Sequence, residues 1–234
     1  MSELLRLKLD FDVSALQEEL VKFQQQHWHD HFNKSVNEYG WTALPLRSPE
    51  GCCDSILAGE ATAAAYADTP YLQQSPYLQQ VLERFHCPKH AVRLLALAPG
   101  TQIKRHRDHE LSFEDGLARI HIPVRSHPKV EFMINDHRLE AAEGESWYIN
   151  ANYPHSVDNA SDITRVHLVI DCQVNDWLKN EFARAGYRKI EVENKYGDPA
   201  INDANVFEVI ARLKTLNTPG GDAMAQRLLA IVKK

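Results

Sequence analysis

His106-Arg107-Asp108 places an imidazole and a carboxylate two positions apart. On a strand, residues at that spacing share a side, so the two groups converge. A third ligand must come from elsewhere, and His155, just after the Asn152-Tyr153-Pro154 turn, can supply it. Two histidines and one carboxylate on one side of a metal leave positions open, the donor set of non-haem iron chemistry. The short motif says little alone: with 12 His and 32 acidic residues in 234, chance yields more than one His-x-acid match.

The surrounding residues add meaning. Arg165 lies ten residues after His155 on a separate strand-like run. A dicarboxylate with one end on a metal needs its other end held by a cation, and arginine offers a planar two-pronged fork. Arg119-Ile120-His121 repeats the same-face logic within an apolar run, where an unpaired cation is costly to bury. Its structural reading is a pairing of Arg119 with a carboxylate such as Glu131. His167 shares a strand face with Arg165 and suits either a pocket wall or a satisfied core. Trp147 and Asn159 read first as core packing and turn hydrogen bonding. His27-Trp28-His29-Asp30-His31 offers i, i+4 imidazoles, yet lacks the accompanying Glu of zinc hydrolases. A solvated or interface helix end is expected there.

The elements that must position these groups follow from periodicity. Residues 4–12 alternate as a half-buried strand. Ser14 and Gln17 stand at capping-box spacing and predict a helix start. Residues 41–47 read as a strand, and in PYLQQSPYLQQ each Pro restarts a turn or begins a helix. From about 91 to 172 short strands recur: VRLLALA, KRHRD, ARIHIPV, KVEFMIN, HRLEAA, ESWYINA and TRVHLVIDC. The intervening PGT, EDG, SHP, AEGE, NYP and NASD read as turns, which predicts a sandwich or barrel. After Cys172 three segments have helical spacing, with Pro219-Gly220-Gly221 separating the last two. Two regions are therefore expected, 1–172 and a helical portion 173–234.

Composition fits an ordinary globular enzyme, with 44% hydrophobic and 25% charged residues. A net charge of −6 gives no basic field for nucleic acid. No apolar run approaches a membrane span, and charged residues interrupt the N-terminal stretch. Cys52, Cys53, Cys87 and Cys172 form no C-x-x-C pair. A reducing cytoplasm is the expected compartment, while oligomeric state stays open.

LLALAPGTQIKRHRD, ARIHIPV, GESWYINANYPHSVDNAS and TRVHLVIDC together resemble the aspartyl/asparaginyl β-hydroxylase family, which includes bacterial free-proline hydroxylases. The resemblance lies in order and spacing: Pro-Gly, His-x-Asp, Arg-x-His, Gly-x-x-Trp, His-x-x-x-Asn and Arg. It covers about 80 residues. It implies a mainly β chain with a cupin-like jelly-roll core, or double-stranded β-helix, flanked by helices. It implies Fe(II) on His106, Asp108 and His155, and 2-oxoglutarate held distally by Arg165 and nearer the metal by His121. Arg119 matches a position for a substrate or co-substrate carboxylate; His167 and Trp147 are candidate pocket walls. Asp108 sets this chain closer to bacterial members, because the animal enzymes lack that carboxylate. Leu95 stands where those enzymes carry a hydroxyl residue.

The resemblance thus implies a dioxygenase that hydroxylates an amino acid, free or as Asp/Asn in a peptide, and releases succinate and carbon dioxide. Two alternatives stay open: a non-catalytic cupin-like carboxylate-binding protein, and a zinc hydrolase on the same ligands, which has no need of Arg165.

Overall fold

The computed structural model describes residues 3–57, 65–108, 111–188, 195–198 and 201–232. Twelve strands are present among them: β1 (Leu4–Asp10), β2 (His29–Asp30), β3 (Trp41–Pro49), β4 (Tyr66–Asp68), β5 (Lys89–Leu97), β6 (Thr101–His106), β7 (Leu117–Arg125), β8 (Val130–Ile134), β9 (His137–Arg138), β10 (Glu145–Ile149), β11 (His155–Asn159) and β12 (Arg165–Gln173). The helices are α1 (Val13–Lys22), α2 (Pro70–Gln73), α3 (Pro76–Glu83), α4 (Asp176–Arg184), α5 (Val206–Thr215) and α6 (Pro219–Val232).

The major sheet runs β1-β10-β7-β12-β5-β3-β2, with β4 paired to β3; the minor sheet runs β6-β11-β8-β9. Counted from β5, the eight strands to β12 alternate between sheets so that the first, third, sixth and eighth lie together and the second, fourth, fifth and seventh lie opposite. That connectivity is a jelly roll, and its pairs are antiparallel throughout. The sheets are mainly β with flanking helices, as the resemblance implies.

Period-two alternation explains which side chains reach the interior. On β12, Val166, Leu168 and Ile170 pack outward with Leu94 of β5 and Ile120 and Ile122 of β7. Helices cover that face through Leu16, Leu20, Leu78, Leu82, Leu178 and Phe182. Each such leucine or isoleucine contributes about 1.5–3 kcal/mol of burial free energy. The opposite faces of β5, β7 and β12 carry Arg93, Arg119, His121, Arg165, His167 and Asp171, all buried. A chain pays for polar groups inside a barrel only where they find partners or ligands.

Local signals need correction in places. Asp12, not Ser14, caps α1: its carboxylate accepts from the Ala15 N–H at 3.1 Å. Gln17 instead donates to the Val124 carbonyl and to Glu143. Both prolines of the PYLQQ echo begin helices, α2 and α3. Pro219-Gly220-Gly221 is the first turn of α6 rather than a spacer, because proline is well suited to a helix start. The segment 155–159, which joins the NYP and NASD turns and carries no strand expectation of its own, is strand β11. His27 and His31 share no helix: α1 ends at Lys22, and His29 lies in β2.

Gly144 has φ +82°, and a Cβ there would stand 2.4 Å from the Phe11 carbonyl oxygen, so the Gly-x-x-Trp turn requires glycine. Two compact units are present, Met1–Arg188 and Lys189–Lys234. Helix α4, expected with the C-terminal portion, belongs to the first unit because Leu178 and Phe182 complete its core. In the second unit α5 and α6 bury Val206, Ile210, Ala225 and Leu228 with Tyr196. Among the described residues no helix is long and apolar enough to cross a membrane.

Candidate metal centre and anion pocket

His106 ends β6 and His155 begins β11, and the two residues are direct register partners in the minor sheet. Their rings lie 4.2 Å apart between centroids. Asp108 sits just past the end of β6, fixed by its backbone N–H to the Ala151 carbonyl at 3.0 Å. One possible ligand atom from each of His106, Asp108 and His155 falls within 4.8 Å of the others.

The second ring nitrogens decide what the first can do. His106 Nδ1 is 2.8 Å from the Lys104 carbonyl, and His155 Nδ1 is 3.0 Å from the Tyr153 carbonyl. A carbonyl only accepts, so each Nδ1 carries the proton and each Nε2 presents a lone pair. His106 Nε2 lies 3.7 Å from Asp108 Oδ1. Burial, and then neighbouring His106, pushes His155 down to about 4, so it stays a neutral donor. Two imidazole nitrogens and a carboxylate oxygen make a fitting donor set for divalent iron.

Asp108 is itself held. Its Oδ2 accepts from the Arg119 fork at 2.7 Å. Burial disfavours charge on Asp108, but Arg119, then His155 and His106, outweigh it and keep the carboxyl below its ordinary value. Arg119 is turned toward Asp108 by Asp171, its register partner across β7 and β12. Asp171 accepts from Arg119 Nε at 2.7 Å and from its terminal nitrogen at 3.1 Å. Asp171 also accepts from Arg93 at 3.1 Å, and Arg93 donates to the Ile56 carbonyl at 3.3 Å. The carboxylate expected for Arg119 is therefore Asp171, while Glu131 faces Arg138 at 3.7 Å.

Arg165 contrasts with this satisfied network. It is 3% exposed, no salt bridge reaches it among the described residues, and its Nε has no hydrogen-bond partner. Its guanidinium lies over the Phe132 ring at 5.3 Å and contacts His167 Nδ1 at 2.9 Å. Burial alone pushes Arg165 down to about 9. It still holds its charge at neutral pH, and a buried cation without a carboxylate is a site for an anion.

His106, Asp108, His155, Arg119, His121 and Arg165 line one cavity, with Arg93, His31 and Trp41. His121 is neutral there, since burial and then Arg165 hold it well below its ordinary value. Arg165 and His167 also border a cleft of about 640 Å³ beside Ser126, Arg138 and Glu143. His167 faces that cleft rather than the metal-side cavity. Trp147 lines neither; its indole donates to Glu145 at 2.9 Å. Asn159 lies buried at the end of β11, where its amide donates to the Leu97 and Ile163 carbonyls at 2.9 Å.

Sequence reasoning missed Arg93 and Asp171, and it placed His31 at a solvated or interface helix end rather than in the cavity. Extending the Arg165, His167, Val169 alternation by one step reaches Asp171, so that signal was present. Arg93 shares its strand face with Leu95 in the same way. For His31 the only signal, i, i+4 spacing with His27, pointed to a helix instead.

Residues 10–174 match the family model described as aspartyl/asparaginyl beta-hydroxylase, well over half of the chain. The chain belongs to that family. Among similar proteins, L-proline cis-4-hydroxylase of Rhizobium meliloti (strain 1021) is 26% identical over 169 residues, or 70% of this chain. This chain spans 58% of that relative's length. Solved structures similar to this family member include a Pseudomonas putida prolyl-4-hydroxylase, 9% identical, covering 74% of this chain and 93% of that one with a TM-score of 0.46. A 2OG-Fe(II) oxygenase family oxidoreductase from Burkholderia pseudomallei is 13% identical, covering 70% and 79%, with a TM-score of 0.48.

Proposed function

We propose that this chain is an Fe(II)- and 2-oxoglutarate-dependent hydroxylase of an amino acid or similarly small carboxylate. The observation that carries the reading is the buried, acid-free Arg165 in the cavity that also holds His106, Asp108 and His155. A zinc hydrolase on the same three ligands needs no such cation, and a purely structural arginine would have a carboxylate.

His106 Nε2, His155 Nε2 and Asp108 Oδ1 would hold the iron. When bound, iron supplies dioxygen activation, driven by oxidation of 2-oxoglutarate to succinate and carbon dioxide. Arg165 fixes the distal carboxylate of the co-substrate through its fork, and His121 packs beside it as a neutral polar wall. Arg119 keeps Asp108 ionised and aimed, with Asp171 as its anchor. Because Arg119 is committed to two carboxylates, Arg93 is the better cation for an anionic substrate group. Leu95, Ile103, Ile149 and Val157 exclude water around the reacting carbon.

The relative's name puts L-proline first among candidate substrates. Aerobic incubation of the iron-loaded protein with 2-oxoglutarate and single amino acids tests the reading. Succinate release stimulated by one of them, L-proline first, is the expected result. Iron-loaded protein that consumes no 2-oxoglutarate with any of them would favour the carboxylate-binding alternative.

A further inference from the structure

The His27-Trp28-His29-Asp30-His31 run enters the cavity through its last member. His31 follows β2, and its backbone N–H donates to the Trp41 carbonyl at 2.9 Å. Its ring stacks on the Trp41 indole, with centroids 3.4 Å apart and planes 13° from parallel. Phe32 lies against the same ring at 4.4 Å. His31 is 8% exposed, and it lines the cavity beside Trp41, Arg93 and His106.

The tautomer of this ring follows from one contact. The Asn33 backbone N–H donates to His31 Nδ1 at 3.3 Å. An Nδ1 that accepts has no proton, so in the neutral ring the proton is on Nε2. Burial, with Arg93 adding to it, pushes His31 down to about 3, so the ring is neutral across the physiological range. Nε2–H has no hydrogen-bond partner among the described residues. The ring lines the cavity, so that donor is available to a ligand there.

We infer that His31 is a substrate-binding residue: its Nε2–H donates to a carboxylate oxygen of the substrate, beside Arg93. This rests on the hydroxylase reading and adds the residue that selects the substrate's anionic end. The neighbouring cation favours a carboxylate over an amide carbonyl, since Arg93 shares its one carboxylate, Asp171, with Arg119, and its Nε lacks a partner. Stacking on Trp41 fixes the ring plane, so the donor's direction is set before the ligand arrives. A neutral donor orients the substrate without adding to the positive charge that Arg93 and Arg119 already place near the metal ligands.

Two measurements test this. Two-bond nitrogen–proton correlation spectra of histidine-labelled, metal-free protein should show His31 protonated at Nε2 and bare at Nδ1 throughout the neutral range. A protonated Nδ1 overturns the inference. Calorimetric titration of L-proline into the anaerobic complex with iron and 2-oxoglutarate is the second. Affinity should fall on the order of tenfold or more in His31→Phe, which keeps the stacking and loses the donor. His31→Gln, whose amide can stand near the Nε2 position, should recover part of it, and 2-oxoglutarate affinity should not change in either. Equal affinity in wild type and His31→Phe, or no L-proline binding by the wild type, overturns the assignment. Failure of the hydroxylase reading is seen separately, as absence of succinate.

Discussion

Asp171 grips Arg119 with both carboxylate oxygens, at 2.7 and 3.1 Å, and thereby aims the free end of that arginine at Asp108. Both partners are buried, and Asp171 serves Arg93 as well. Burial opposes charge on Asp171, but Arg119 and then Arg93 outweigh it and hold the carboxyl below its ordinary value. Asp171→Asn leaves two buried arginines short of their anion. The fold should lose about 3–5 kcal/mol, read from urea denaturation of the metal-free protein. A loss below about 1 kcal/mol would mean that the network contributes little.

Arg119→Gln is a different perturbation. Asp171 keeps Arg93, so the fold should suffer less than in Asp171→Asn. Asp108 loses the partner that orients Oδ2. Iron affinity should fall roughly 10- to 100-fold, the usual cost of removing a group that positions a metal ligand. Competitive metal titration with a chelating dye reads it directly, and wild-type affinity in the variant would remove Arg119 from that role.

Arg165→Met replaces the buried cation with an apolar side chain of similar reach. The apparent requirement for 2-oxoglutarate should rise at least 100-fold while iron still binds, since a charge-assisted fork contributes on the order of 3 kcal/mol. The metal-free variant should also be no less stable than wild type, because the removed charge was not compensated. Unchanged co-substrate dependence would exclude Arg165 as the anchor.

The pH dependence of dicarboxylate binding follows from the same residue. Arg165 in the anion-free fold is held down to about 9 by burial, below its ordinary value. Its charged form is therefore disfavoured in the empty pocket and favoured by a bound carboxylate. Affinity for 2-oxoglutarate should be full below about 9 and decline as pH rises through that value. Anaerobic calorimetry at pH values on either side checks the sign; affinity that strengthens above 9 would contradict it.

Much of this is legible in the sequence. The turn-punctuated strands foretold the barrel, and Arg165 with His121 fell on interior faces because strand alternation is strict. Segment 155–159 hid its strand because His155-Ser156 and Asp158-Asn159 surround a single apolar residue, Val157. Only pairing with β6 and β8 gives it ladder partners. The fate of Arg119 was equally hidden, since Asp171 lies 52 positions away and becomes its neighbour only through β7–β12 register. His31 looked like part of a helix end because i, i+4 spacing is helical; the chain instead leaves α1 and enters β2, turning the ring onto Trp41.

The central claim is that His106, Asp108, His155 and Arg165 together couple 2-oxoglutarate oxidation to hydroxylation. Turnover under isotopically heavy dioxygen, with L-proline as the first amino acid, tests it most directly. One heavy oxygen atom should appear in succinate and the other in the hydroxylated amino acid, in equal amounts, and both should vanish in His106→Ala. Iron-loaded protein that binds 2-oxoglutarate yet labels neither product would contradict it.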